Sequence, residues 1–266
     1  MKTNFYHFSF SSTDIVTKRS RLAKRIICSV ICLLLSTNIF AQKDVTKFLG
    51  IPVDGTKSEM RQKLIKKGFK YDAKKDYLTG EFNGRKVHIF IVTNNNKVYR
   101  IGVADADDVN EAQIKIRYNS LVNQFLNNDR YLPISIDTID DMDISYEMTI
   151  NKTEISASFA QLSGDFAKLC KSALNMQQNS NATIEDSTAL AELVINMCEK
   201  HGYTAEQVSS LSEEERSSLV QKMLMEEYLN FSTYNTVWFT INEFYGEYSI
   251  MMFYDNNYNK ANGEDL

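Results

Sequence analysis

The sequence predicts an α+β fold in which helices lie on one face of antiparallel sheet. Short runs rich in β-branched and aromatic residues alternate with two-residue turns such as Asn83-Gly84, the strongest local signal for a β-hairpin. A segment with helical periodicity precedes each of two groups of runs, at residues 56–69 and 109–127. We therefore predict two units, each a helix plus a four-stranded antiparallel sheet, with a helical insertion interrupting the second. The other sheet face would be partly open to solvent or to a partner.

The first 41 residues predict a signal peptide. A basic region is followed by a 15-residue apolar run, Ile26–Phe40, and then by Ala41. The run is shorter than the roughly 18 apolar residues that indicate a membrane span. Cleavage near Ala41 would give a periplasmic or secreted bacterial protein without stable membrane insertion. The alternative is an N-terminal anchor that stays uncleaved.

The remainder of the chain is acidic. The formal net charge is −4, but the first 41 residues hold six basic residues and one acidic residue, so the rest carries −9. An acidic body without a basic stripe argues against nucleic acid and anionic membrane surfaces as partners.

The order of predicted elements divides this acidic body into two units. Residues 42–108 form the first α+β unit, and residues 109–266 form the second. The helical insertion of the second unit spans about residues 164–231, where three segments have helical periodicity. The last of these begins with Ser212 and Glu215, at the spacing of a capping box.

The first predicted helix is specified at both ends. Thr56 and Glu59 have the spacing of a capping box, in which each side chain bonds the other residue's backbone N–H. Met60 and Leu64 share one helix face. Gly68 is placed to adopt the left-handed conformation that ends a helix, and the aromatic residue after it can then contact Leu64.

The predicted strands follow the same order. Tight turns are expected at Asn83-Gly84, at 94–96 and at Tyr245-Gly246, and Asn151-Lys152 joins two further strands. The strands of the first unit are FKYD, DYLTGEF, RKVHIFIVT and KVYRIGVA, and those of the second are DISYEMTI, TEISASFAQ, NTVWFTINEF and GEYSIMMFYDN.

Two cysteines remain after removal of the leader. In an oxidising compartment Cys170 and Cys198 could form one disulfide. The alternative is two buried free thiols in separate helices, because cysteine packs well as a small hydrophobic residue.

The stretch GIPVDGTKSEMRQKLIKKGF, followed by strands with glycine turns, resembles the repeat unit of the beta-lactamase inhibitor protein-like (BLIP-like) fold and small outer-membrane assembly lipoproteins of the SmpA/OmlA type. The match rests on Gly55, Thr56, Met60, Leu64 and Gly68. The anchor cysteine of those lipoproteins is absent after the leader. The chain from 42 onward also resembles a group of uncharacterised secreted bacterial proteins. The resemblance implies a fold that binds other proteins through its sheet face.

Residue patterns for catalysis, metal binding or cofactor binding are weak. His88 lies in a predicted strand and His201 at a predicted helix end, and neither adjoins a nucleophile elbow. No glycine-rich phosphate loop is present, and no cofactor is predicted. The two aspartate clusters lack the glycine that a common calcium loop needs at its sixth position. They are Asp105, Asp107 and Asp108, and Asp137, Asp140, Asp141 and Asp143.

The C-terminal hairpin is rich in aromatic residues. In its last strand Tyr248 and Tyr254 share one face with Ile250 and Met252, while Met251 and Phe253 share the other. Both faces are therefore apolar, which is typical of burial under the inserted helices. The functional interpretation is a sheet face that presents aromatic anchors to a protein or glycan. The candidate binding residues are Trp238, Tyr248 and Tyr254.

These observations predict a non-enzymatic, exported module that binds or inhibits a macromolecule, with another envelope or extracellular protein as its partner. One alternative is an envelope glycan hydrolase, which would need two carboxyl groups about 5–10 Å apart. Another alternative is a structural component of an envelope assembly.

Overall fold

A computed structural model describes residues 44–164, 166–167 and 194–261 of the 266-residue chain. Residues Val45–Leu266 belong to one compact unit. Helical residues are also found at 194–200. The named helices are α1 (Lys57–Lys66), α2 (Glu111–Leu126), α3 (Ile144–Thr149), α4 (Ala205–Ser210) and α5 (Glu213–Tyr234). The strands are β1 (Lys47–Phe48), β2 (Ile51–Pro52), β3 (Lys70–Asp72), β4 (Tyr77–Phe82), β5 (Arg85–Asn94), β6 (Lys97–Asp105), β7 (Tyr131–Ile136), β8 (Ser156–Gln161), β9 (Asn235–Phe244) and β10 (Glu247–Asn256).

Strands β3 to β10 form one eight-stranded sheet in the order β3-β4-β5-β6-β10-β9-β8-β7, and every neighbouring pair is antiparallel. The predicted α+β class with antiparallel sheet is thus confirmed. The ladder between β6 and β10 joins the two halves of the sheet, and it runs from Met251 opposite Ala104 to Asp255 opposite Arg100. The sheet is therefore continuous across the predicted boundary at residue 108, and the predicted signal peptide lies outside the described residues.

Helix α1 has the predicted ends. The Thr56 hydroxyl accepts from the Glu59 N–H, and the Glu59 carboxylate accepts from the Thr56 N–H, which completes the capping box. At the other end Gly68 has a φ of 101°, and the Phe69 N–H donates to the Leu64 carbonyl. This is the bond pattern of a Schellman ending, and it turns the Phe69 ring into the core.

The predicted hairpin turns are also present. Asn83-Gly84, Asn95-Asn96 and Tyr245-Gly246 each place two consecutive residues at positive φ. Two-residue hairpins of type I′ require this conformation because its twist matches that of the strands. The register confirms the pairing, since Phe82 lies opposite Arg85 and Phe244 lies opposite Glu247.

The prediction for the start of the second unit was wrong in two places. The run DISYEMTI forms helix α3, because Asp143 caps it by accepting from the Tyr146 N–H at 2.9 Å. Ile144 and Met148, four residues apart, then both face the core. The unpredicted β7 takes the place of the lost strand, at the edge of the sheet, where Pro133 is tolerated beside a register shift.

Helices α1 and α2 cover one face of the sheet, which we call the inner face. The largest core cluster lies between these helices and the sheet. The rings of Tyr118 on α2 and Phe239 on β9 meet there edge to face, with centroids 5.3 Å apart. Gly80 makes room for the ring of Phe69, because a Cβ at this glycine would lie 2.4 Å from a ring carbon.

The inserted helices lie between β8 and β9 in the chain, and the described part of the predicted insertion is helical at 194–200, α4 and α5. Ser212 and Glu215 form the predicted capping box of α5. A second core cluster joins these helices to Ala160 at the end of β8. Because side chains alternate along a strand, Ala160 faces away from the inner-face residue Phe159. The insertion thus packs on the opposite face, the outer face, at the β7–β8 end.

Candidate functional site

The outer face carries a row of aromatic rings across four strands, which we call the aromatic row. Its members are Tyr77 on β4, Phe90 on β5, Phe253 on β10 and Trp238 on β9. Strand alternation places them there, because their neighbours along each strand, such as Ile89 and Met252, are buried on the inner face. The side chain of Phe90 keeps 37% of its surface exposed, and the other three rings are half-buried.

Register fixes the spacing of the aromatic row. Phe90 and Phe253 both lie opposite Gly102, which is on the strand between them, and Phe253 lies opposite Trp238. The ring of Phe253 leans over Gly102, since a Cβ at that glycine would lie 3.6 Å from a ring carbon. Phe253 and Trp238 stack with centroids 4.3 Å apart, and Tyr77 meets Phe90 edge to face at 5.6 Å. These contacts restrict the rings before any ligand arrives.

A partly buried ion pair lies next to the row. The Arg100 guanidinium donates two hydrogen bonds, of 2.6 and 2.7 Å, to the two carboxylate oxygens of Asp255. The indole N–H of Trp238 donates to the same carboxylate at 3.1 Å. The hydrogen bonds to Asp255 raise the pKa of the Arg100 guanidinium above its usual value. Asp255 therefore positions the guanidinium and the indole together.

The guanidinium also contacts the rings from above. Its central carbon lies 4.8 Å from the ring centroid of Phe253 and 5.4 Å from that of Trp238. Cation–π attraction favours this arrangement, and it is stronger where the charge is partly desolvated. The result is a compact platform of one cation, one carboxylate and two stacked rings, with Arg100 neutralised by Asp255.

A row of short or polar side chains borders the aromatic row. Register places His88 opposite both Thr79 and Ala104, and it places Thr240 opposite both Met251 and Ser156. The His88 ring contacts the Tyr77 ring at 4.5 Å between centroids. Most of these side chains are small, so this part of the outer face is flat beside the rings.

The three predicted binding residues do not lie together. Trp238 is on the outer face, whereas Tyr248 and Tyr254 lie on the inner face with 2% and 5% of their surfaces exposed. The Tyr254 ring contacts Phe48 at 4.9 Å, and burial raises the pKa of its hydroxyl. Burial removes both tyrosines from contact with a ligand at the surface, so Trp238 is the residue of the three that remains a candidate.

Sequence reasoning missed the rest of the platform. The alternation in β10 grouped Phe253 apart from Tyr248 and Tyr254, and that grouping is what the structure has. The sequence predicted the group with Tyr248 and Tyr254 on the binding face, whereas the group with Phe253 faces outward. The error arose because both groups are apolar. The sequence around Arg100 does not indicate a role for it in binding, because its partner Asp255 is 155 positions away in the chain.

The predicted disulfide stays a prediction. Cys198 is buried in the second core cluster, and desolvation raises the pKa of its thiol. Cys170 lies outside the described residues.

His201 and Asp105, two of the residues considered for catalysis or metal binding, have structural contacts. The Nε2 atom of His201 lies 3.1 Å from the buried Glu227, which links the 194–200 segment to α5. Asp105 pairs with the buried Arg117 at 3.3 Å. Within the described ranges, no group of three or more His, Cys, Asp or Glu side chains could hold a metal ion.

Helix length bears on membrane insertion. Of the helices in the described part of the chain, none is both long and apolar enough to cross a membrane.

No family model, no curated protein and no solved structure matches this chain, so the outer face and its aromatic row must be interpreted from their own chemistry.

Proposed function

We propose that this protein is an exported, non-enzymatic binding module that docks another envelope or extracellular protein on its outer sheet face. The observation that carries the proposal is the aromatic row, held beside the Arg100–Asp255 pair. Tryptophan, tyrosine and arginine are enriched among the residues that dominate protein–protein affinity. Rings that are already stacked lose little conformational entropy on binding.

The placement of the row supports the same function. Phe90 is exposed near the middle of the sheet, and the stacked rings of Phe253 and Trp238 lie across Gly102 from it. The flat row of small side chains beside the rings would let a partner surface approach closely. The charge of the ion pair is internally balanced, so the platform is suited to apolar and hydrogen-bonding contacts rather than to a highly charged ligand.

The strand order supports a relation to the BLIP-like repeat, whose sheet face binds other proteins. Strands β3 to β6 follow α1 in the chain, and β7 to β10 follow α2, with β6 and β10 side by side. We propose that the chain consists of two helix-plus-four-strand units related to the BLIP-like repeat, the second interrupted by the insertion. The proposed export, with cleavage near Ala41, would place this module in the periplasm or outside the cell.

Site-specific photo-crosslinking in intact cells tests the proposal. The full chain would carry p-benzoylphenylalanine in place of Phe90, or in place of Ile116 as the matched control. Ile116 lies on α2, on the other side of the sheet, and is 72% exposed. We expect position 90 to capture one envelope protein that position 116 does not capture.

Two results would contradict the proposal. One is an equal set of products from positions 90 and 116, which would mean that the outer face is not a preferred contact. The other is a crosslink from position 90 to glycan with no protein product. That result would favour a carbohydrate ligand, which aromatic rings can also stack against.

A further inference from the structure

The hairpin of β9 and β10 extends beyond its neighbours in the sheet. The two strands pair over ten positions, as far as Phe244 opposite Glu247. The ladder of β10 with β6 stops at Met251, and the ladder of β9 with β8 stops at Thr240, after which the Ile241 N–H donates one more bond to the Ile155 carbonyl. Three residues of each strand lie beyond the paired Ile241 and Ile250, a length of about 10 Å. Val109 bonds Tyr248 in both directions and fixes the extension on one side.

Two exposed aromatic residues form the end of this extension, which we call the tip. Phe244 has 63% of its surface exposed and Tyr245 has 90%, the largest exposure of any large hydrophobic side chain in the described residues. Their rings meet edge to face with centroids 4.5 Å apart. Phe244 is an even number of residues from Trp238, so both side chains project from the outer face.

Backbone conformation makes the identity of Tyr245 unusual. Its φ is 52°, a region where a bulky residue is strained and where asparagine or glycine is preferred. The turns at Asn83-Gly84 and Asn95-Asn96 use asparagine in that position. Leu49 has a similar φ and is 38% exposed. Tyr245 combines this backbone conformation with a far larger exposure of its side chain, 90%.

Acidic residues lie on both sides of the tip. Glu243 and Glu247 flank it, and the Glu243 carboxylate accepts from the Gly246 N–H at 2.7 Å. Asp107 and Asp108 are exposed next to Val109, which bonds Tyr248 close to the tip. We call these four residues the acidic collar. From position 235 to position 259 the sequence has no lysine, arginine or histidine.

We infer that the tip inserts into an apolar pocket of a protein partner whose rim is basic. The two rings supply the apolar surface, and the acidic collar is complementary to lysine and arginine side chains around such a pocket. Anionic phospholipid would be repelled by the collar, which argues against a membrane surface as the occupant. The inference rests on the proposed function in taking the ligand to be a protein, and it adds a second contact at the end of the outer face.

Photo-crosslinking from the tip tests the inference. The full chain would carry p-benzoylphenylalanine in place of Tyr245, or in place of the exposed Tyr146 on α3 as a control. We expect position 245 to capture the protein captured from position 90, through a peptide that contains lysine or arginine. A double charge reversal, Glu247→Lys with Asp108→Lys, should lower this yield at least fivefold, while leaving crosslinking from position 146 unchanged.

The outcomes separate the two proposals. Capture from position 90 with only phospholipid, or nothing, from position 245 would overturn the tip and leave the outer-face function standing. Capture of a protein from position 245 without capture from position 90 would overturn the outer-face function and support the tip. An unchanged yield after the charge reversal would overturn the basic rim.

Thermal unfolding of Tyr245→Asn gives an independent check that needs no partner. Asparagine tolerates the positive φ, so the melting temperature should rise by about 2–4 °C. In the same variant, the yield from a crosslinker at position 90 should fall, because the tip contact is lost. A lower melting temperature would contradict the argument from strain.

Discussion

The two hydrogen bonds from Arg100 to Asp255 connect adjacent strands of the two halves of the sheet. They join β6 to β10, at the point where the strands that follow α1 meet those that follow α2. The carboxylate is almost fully buried, and Trp238 donates a third hydrogen bond to it from β9. One acidic side chain therefore organises both the joint between the halves and the candidate binding platform.

Asp255→Asn should weaken this joint. The amide cannot accept both guanidinium bonds, and Arg100 is left partly buried without its counter-charge. We expect a loss of about 2 kcal/mol in the free energy of unfolding, measured by urea denaturation. Because Trp238 is the single tryptophan of the chain, its fluorescence should report the change directly.

The matched control is Lys57→Gln, which removes an exposed ion pair with Asp76. It should change the free energy of unfolding by less than about 1 kcal/mol. Equal effects of Asp255→Asn and Lys57→Gln would show that the pair at the joint has no special role.

Gly80→Ala should destabilise the fold through one defined contact. The new methyl group would meet the Phe69 ring, which the end of α1 holds in the core. Overpacking of this kind costs about 1–3 kcal/mol. The cost should shrink in the double variant Gly80→Ala with Phe69→Leu, since leucine lacks the ring edge. If the two substitutions are additive in a double-mutant cycle, the steric explanation fails.

Stability should fall in alkaline solution. Burial raises the pKa values of the Tyr118, Tyr131 and Tyr254 hydroxyls above the usual value, so the folded state keeps their protons where the unfolded state releases them. The stabilisation is complete below about pH 10 and is lost as the pH rises through the folded-state pKa values.

Urea denaturation between pH 8 and pH 11.5 measures this dependence. Each tyrosine that stays protonated only in the folded state lowers the free energy of unfolding by up to about 1.4 kcal/mol for each pH unit above pH 10. Tyr254→Phe removes one such group and should reduce the slope. A free energy of unfolding that is constant from pH 9 to pH 11 would contradict the burial of these hydroxyls.

Local signals predicted those parts of the fold that local chemistry decides. The two ends of α1 depend on Thr56, Glu59 and Gly68, which act within one or two turns of helix. The turn at Asn83-Gly84 depends on two residues that tolerate positive φ. Such features need no knowledge of the rest of the chain, and the structure has them where the sequence predicts them.

The errors occurred where distant contacts decide. The alternation of DISYEMTI is compatible with a strand, and the distant core contacts of Ile144 favour the helix that Asp143 caps locally. Proline is not expected in a central strand, so the run with Pro133 was not predicted as a strand. It is tolerated in β7 because β7 is at the edge of the sheet. In β10 both faces are apolar, so only its pairing with β6 and β9 determines that Phe253, and not Tyr254, faces outward.

The most direct test of the outer-face function is the affinity of the purified partner, identified from the crosslink at position 90, for three forms of the full chain. These are the wild type, Phe90→Ser and the control Ile116→Ser, compared by isothermal titration calorimetry. We predict at least tenfold weaker binding by Phe90→Ser, equivalent to about 1.4 kcal/mol, with Ile116→Ser binding like the wild type. Equal affinity for all three forms, each with the circular dichroism spectrum of the folded protein, would contradict the central claim that the aromatic row binds the partner.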